Sequence, residues 1–188
     1  MSQMITIDTG LGIRKHEIYK LVSENDPALW QPTEDFDFAN PPIDPVYLAG
    51  SLFATMFAYR GIGLSANQVG LPYRVFVVGL ENENKQVFFN PKIVAISDEI
   101  VTYDEGCLSF PQLFLKVKRP SWVTLSYQHV SGETRQDTFH GLTARVVLHE
   151  YDHMEGKAML DNVGKTSIMM AREKQKKLLK GKSRHNSK

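Results

Sequence analysis

Near its C-terminal end the chain reads Leu148-His149-Glu150-Tyr151-Asp152-His153, and no other run restricts the fold as much. On an α-helix, two histidines four apart stand one above the other, about 5–6 Å apart on one face. There both imidazoles can hold a single metal ion. Glu150 projects about 100° further round the helix, which suits a general base better than a ligand. The run therefore calls for a helix held by other elements, one of which must deliver a further ligand.

Periodicity says what those elements are. Arg74 to Leu80, Gln86 to Phe89, Lys92 to Ile96, Glu99 to Tyr103, Phe114 to Lys118, Trp122 to His129 and Thr134 to Phe139 read as strands rich in Val, Ile, Phe and Tyr. Asn82 to Asn84, Asn90-Pro91 and Ser131-Gly132 separate them as turns. Upstream, Ile13 to Val22 predicts a short helix, and prolines 27, 32, 41, 42 and 45 mark an irregular stretch. Asp44-Pro45 opens a stronger helix carrying Leu48, Leu52, Phe53, Met56 and Phe57, with Gly61 as its left-handed stop. The histidine helix spans about Leu142 to Met154 and closes at Gly156; Ile168 to Leu179 predicts a lysine-rich terminal helix. The order predicts an α+β fold: antiparallel β-sheets around a central metal-binding helix, with N-terminal and C-terminal helices.

Composition bounds the setting. A chain of 188 residues, 42% of them apolar, supports one domain with a substantial core. No apolar run approaches the ~20 residues of a membrane span, and the first residues carry no basic-then-apolar leader. Cys107 is the one cysteine, so no disulfide forms within the chain, and the expected compartment is a reducing cytoplasm. Charge is uneven: residues 165–188 hold nine Lys or Arg against Glu173 alone, leaving 13 basic and 20 acidic residues in 1–164. The expected organisation is a catalytic domain over 1–164 followed by a basic helix or tail over 165–188. Such an arm is either an electrostatic handle for nucleic acid or a solvated terminus.

Two histidines need company. A thermolysin-like site would bring a glutamate from a second helix, but the only acids beyond Met159 are Asp161 and Glu173. A metzincin would continue His-x-x-Gly-x-x-His; Gly156 falls at the right offset but Met159 stands at the last position. Upstream, Cys107 in Glu105-Gly106-Cys107-Leu108-Ser109 offers a thiolate, a strong metal ligand, although a lone cysteine beside an apolar residue also suits plain burial. A third run, Gly61-Ile62-Gly63-Leu64-Ser65-Ala66-Asn67-Gln68-Val69-Gly70, is too short for a dinucleotide fingerprint and follows a helix. It can bring bare backbone and the Gln68 amide close to a ligand.

Together these runs resemble peptide deformylase, whose signatures are Gly-x-Gly-Leu-Ala-Ala-x-Gln, Glu-Gly-Cys-Leu-Ser and Gln-His-Glu-x-x-Asp-His in that order. The resemblance covers about residues 25 to 165. It implies that Cys107, His149 and His153 are the metal ligands and Glu150 the acid/base residue. Gln68 and the Leu108 backbone N–H are implied as oxyanion donors, and Gly63 and Gly106 as parts of the peptide site. Arg119 falls where the family places the arginine that pairs with the motif glutamate, here Glu105. Ile62, Leu142 and Val146 are expected around the substrate methionine. Three positions depart from the pattern: Ser65 replaces an alanine, Leu148 a glutamine, and Phe114 stands where many members carry an arginine.

The resemblance implies removal of the formyl group from N-formylmethionyl nascent chains, with release of formate. Ferrous iron is the implied ion, with zinc, nickel and cobalt as alternatives, and the basic tail gains ribosomal RNA as an implied partner. Two rivals use fewer of the runs: a zinc peptidase on the same helix, and an RNA-binding protein with a structural metal.

Overall fold

The first helix shows how local chemistry places the larger elements. Asp44 accepts a hydrogen bond from the Tyr47 N–H at 2.8 Å, and Pro45 begins α1 (Pro45–Ala58). In the computed structural model, which describes residues 3–8, 13–79 and 85–185, α1 is buried without a break from Leu48 to Met56. The left-handed residue that ends it is Arg60, at φ 59°, and not Gly61. Arg60 N–H bonds the Phe57 carbonyl at 2.9 Å and Gly61 N–H the Met56 carbonyl at 2.8 Å. Gly61 is small for another reason: a Cβ there would lie 2.7 Å from Leu108 Cδ1.

Where a short helix was expected over Ile13 to Val22, the chain forms a strand to Ile18 and no regular element beyond it. β1 (Gln3–Asp8) and β2 (Ile13–Ile18) pair antiparallel, with Ile5 opposite His16. The pairing decides the difference: six consecutive residues of β2 lie in register against β1, and His16 is fully buried against α1. His16 packs where Gly50 of α1 leaves no Cβ in its way, and the Tyr19 N–H then bonds Thr55 Oγ1 at 2.9 Å. Residues 82–84, expected as a turn, lie outside the described residues.

β3 (Gly63–Ser65), β4 (Val75–Val78) and β5 (Gln86–Ile96) lead into the main sheet. β6 (Ile100–Cys107) and β7 (Phe110–Pro120) then form a separate antiparallel hairpin. β8 (Trp122–Gln128) and β9 (Thr134–His140) return to the sheet, whose order is β3-β4-β5-β8-β9, antiparallel throughout. The expected turn at Asn90-Pro91 is instead an irregularity inside one strand, where the β5–β8 register shifts. Asn90 takes φ 49°, and its side chain bonds the Phe36 N–H at 2.7 Å and carbonyl at 2.9 Å. Proline lacks the donor a regular ladder needs, so the pair suits a bulge.

α2 (Gly141–Met154) and α1 cover opposite faces of this sheet. Val75 and Val77 belong to the cluster around Leu52 and Phe53 of α1. Phe76 and Val78 belong to the cluster around Val146 and Val147 of α2. Burial on both sides is why β4 reads as an unbroken apolar run. A third cluster lies under the β6–β7 hairpin and includes Cys107, Leu113, Leu115 and Met159. α3 (Lys165–His185) lies on β7: Gln175 Nε2 donates to the Pro111 carbonyl at 2.8 Å, and Arg172 reaches Glu24 at 2.9 Å. The histidine helix thus stands between sheet and hairpin. No helix among the described residues is long and apolar enough to cross a membrane.

Candidate active site

Helical spacing brings the two histidines of α2 together, and strand spacing brings the hairpin's residues to them. His149 and His153 are buried with ring centroids 5.2 Å apart. On β6, Glu105 and Cys107 are two residues apart and so leave the strand on the same side, toward α2. Cys107 Sγ stands 3.3 Å from His153 Nε2. Cys107, His149 and His153 each offer one ligand atom, all within 4.8 Å of one another. One soft thiolate and two imidazoles, largely buried, are a donor set suited to iron or zinc.

His149 is aimed from behind. Its Nδ1–H donates to Glu105 Oε2 at 3.0 Å, which leaves Nε2 free for an ion. Glu105 is in turn gripped by Arg119, Nε to Oε1 at 2.6 Å and Nη2 to Oε2 at 2.9 Å, the pairing the resemblance implied. Burial alone would raise the Glu105 pKa; hydrogen bonds from His149 and Arg119 outweigh it and hold the carboxyl at about 2. Arg119 also reaches the Leu148 carbonyl at 3.2 Å and Asp152 at 2.8 Å. The Leu148 side chain itself sits in the apolar cluster under α2. His153 Nδ1 has no hydrogen-bond partner among the described residues, so packing fixes that ring.

Glu150 faces the cleft from the adjacent stripe of α2. It is 3% exposed, its Oε2 is unpartnered, and burial pushes its pKa up to about 7. Gly63 makes room for it, since a Cβ there would collide with Glu150 Oε1 and lie 2.7 Å from Val146 Cγ1. Gln68 is clamped at both ends of its amide. Its Oε1 accepts from the Ser65 N–H and Oγ, each at 3.0 Å, and its Nε2 lies 3.3 Å from Cys107 Sγ and 3.0 Å from Ser109 Oγ.

A cavity of about 660 Å³ opens above these groups. Every residue expected from the sequence to hold the metal, the proton, the oxyanion or the peptide lines it except His153; Ser65, Arg119 and Leu148 also lie outside its lining. Ile62 and Gly63 form one wall, Gly106, Cys107 and Leu108 the hairpin side, and Leu142 and Val146 the helix side. Val146 is 8% exposed, whereas Leu142, 66% exposed, stands at the rim. Phe114 lies across Gly106, whose missing Cβ would meet the ring at 2.8 Å. Sequence reasoning missed Ser109 and Arg145. Arg145 was visible in principle, since it precedes His149 by four and lies on the same helical stripe. Ser65, which replaces the alanine of the pattern, is more than a small residue: its hydroxyl grips Gln68.

A buried thiol and two imidazoles beside a buried glutamate with one free oxygen, under a peptide-sized cleft in an α+β fold, define a metal-dependent hydrolase. Residues 18–168 match the family described as Polypeptide deformylase. The chain is 35% identical over 170 residues to the peptide deformylase of Mesorhizobium japonicum, covering 88% of this chain and 96% of that one. It is also 35% identical over 158 residues to that of Erythrobacter litoralis, covering 70% and 81%. A plant peptide deformylase crystal structure superposes with a TM-score of 0.78 at 33% identity, over 90% of this chain and 94% of that one. The enzyme from Synechococcus elongatus, in complex with actinonin, gives 0.78 at 31% identity, over 84% and 87%. The chain belongs to the polypeptide deformylase family. Its reaction is hydrolysis of the formyl amide of N-formylmethionyl chains, releasing formate.

Proposed function

We propose that Cys107, His149 and His153 hold one divalent ion, ferrous iron as the native one, and that Glu150 carries the proton of the deformylation reaction. When bound, the ion supplies a Lewis acid that lowers the pKa of a water from about 15.7 toward about 7. Zinc, nickel or cobalt suit the same donors. Glu150 takes a proton from water as its oxygen adds to the formyl carbon. The oxyanion that forms there is met by Gln68 Nε2 and the Leu108 backbone N–H; losing one such donor typically costs about 2.7–4 kcal/mol of transition-state stabilisation. Glu150 then passes the proton to the amine nitrogen as the C–N bond breaks, giving formate and a free methionine terminus. Ile62, Leu142 and Val146 line the methionine side chain, while Gly63 and Gly106 let the peptide backbone approach.

The observation that carries this reading is the buried Glu150 carboxyl, with Oε2 unpartnered and its pKa raised by burial to about 7 beside the Cys-His-His cluster. The test is formate release from formyl-Met-Ala-Ser by iron-loaded protein purified under argon, beside Glu150→Gln. Turnover by the native protein and loss of at least a hundredfold in the variant are expected. Cleavage of unformylated peptides without formate release would favour a peptidase instead.

The basic arm is assigned to the ribosome, from which the substrate emerges, and the single thiol suits a reducing cytoplasm. Lys176, Lys177 and Lys180 are exposed on α3, whereas Gln175 is buried against the body. The arm's charge is therefore best tested by reversal: Lys176→Glu, Lys177→Glu and Lys180→Glu together should weaken ribosome binding and flatten its salt dependence. Equal binding by both forms would remove the ribosome from this account.

A further inference from the structure

Arg145 lies on the same stripe of α2 as the two histidines, one turn before His149, and no step above uses it. It is 6% exposed. Its Nη1 donates to Glu105 Oε1 at 2.6 Å and to the Val117 carbonyl at 3.0 Å. Its Nη2 donates to the Val101 carbonyl at 2.8 Å, and its Cζ stands 5.0 Å from the centre of the Tyr103 ring. All four partners lie on the β6–β7 hairpin, so one helix side chain reaches both strands of the element that carries Cys107.

Arg119 makes the reverse connection. It leaves β7 and grips the Leu148 carbonyl and Asp152 on α2, and both guanidinium groups meet on Glu105. The two guanidinium groups stand against two carboxylates, Glu105 and Asp152, so charge balances only across the whole network, and it is the placement of the two ties that differs. A single tie fixes a separation; two ties anchored at different points along the helix also fix its orientation to the hairpin. That orientation decides where Cys107 stands relative to His149 and His153.

We propose that Arg145 is a positioning residue of the metal centre. From α2 it pins the hairpin, and holds Glu105 where that carboxylate aims His149. The inference rests on the Cys-His-His reading above. It concerns how firmly the ion is kept, and groups around ligands commonly contribute about 10–100-fold to metal affinity.

The experiment loads the native protein, Arg145→Met and Arg145→Lys with Co²⁺, whose absorption bands report its thiolate and imidazole donors, and times cobalt loss to excess chelator. Arg145→Met should lose cobalt about 10–100 times faster, with shifted bands. Arg145→Lys keeps the charge but reaches fewer acceptors, and should fall between. Equal lifetimes and unchanged bands overturn the proposal, whatever happens to the unfolding midpoints of the metal-free proteins, because a purely structural arginine would move only those. If Arg145→Met does not fold, Arg145→Lys decides by the same criterion. A native protein that takes up no cobalt overturns the metal-centre reading itself, and this inference with it.

Discussion

Gly63 and Glu150 meet where one methyl group would not fit. A Cβ at Gly63 would collide with Glu150 Oε1 and press on Val146, and neither neighbour can retreat, since both are buried on α2. Gly63→Ala should therefore displace the carboxyl rather than unfold the protein. A misplacement near 1 Å costs about a hundredfold in rate. Formate release should fall by about that factor while the far-UV circular dichroism stays native, and activity within twofold of native would show that the carboxyl has room to spare. Residue types at motif spacing were legible in the sequence, because His149, His153 and Cys107 announce their chemistry by kind. What stayed illegible was which small residues are clamps. Ser65 looks interchangeable with alanine until its hydroxyl is seen on the Gln68 amide, and Ser109 until it is seen at the other end.

Among the elements, reading failed where contacts with other segments override a local pattern. β2 has a weak helical pattern of its own, but pairing with β1 and docking of His16 over Gly50 decide for a strand. The two halves of β5 look separate because Asn90-Pro91 usually marks a turn; the Phe36 backbone, 54 residues away, holds Asn90 in the strand. α3 was expected as an arm, yet its first half is packed against β7 through Gln175 and Arg172. Arg172 also lies over the Phe110 ring at 5.7 Å. Gln175→Ala removes the bond to the Pro111 carbonyl, which should cost about 1 kcal/mol and lower the thermal midpoint by about 2–4 °C. A midpoint that does not move would mean that the helix lies on the body without bracing it.

At the scale of the whole molecule, the ligands come from separate layers. Cys107 belongs to the cluster under the β6–β7 hairpin, while the helix bearing His149 and His153 packs into the cluster it shares with the five-stranded sheet. The sequence order of helix, strands and helix foretold α+β, but not that the sheet is covered by a helix on each face, nor that the hairpin stands apart from it. Those facts depend on packing between distant segments, which periodicity does not encode. An ion held by all three ligands would join two layers that are otherwise linked chiefly through the Glu105 network. Binding to the folded state alone stabilises it by about 2.7 kcal/mol at a hundred times the dissociation constant. For a chain of this length that is worth about 5–11 °C in the thermal midpoint. Chelation should lower the midpoint by that amount, and readding ferrous or nickel ion should restore it. Cys107→Ser should unfold near the chelated native protein's midpoint and respond little to metal, because its hydroxyl is a poor replacement for a thiolate. If the variant instead gained as many degrees from the ion as the native protein does, the ion would be seated on α2 alone, and the hairpin would owe its position to the two arginines.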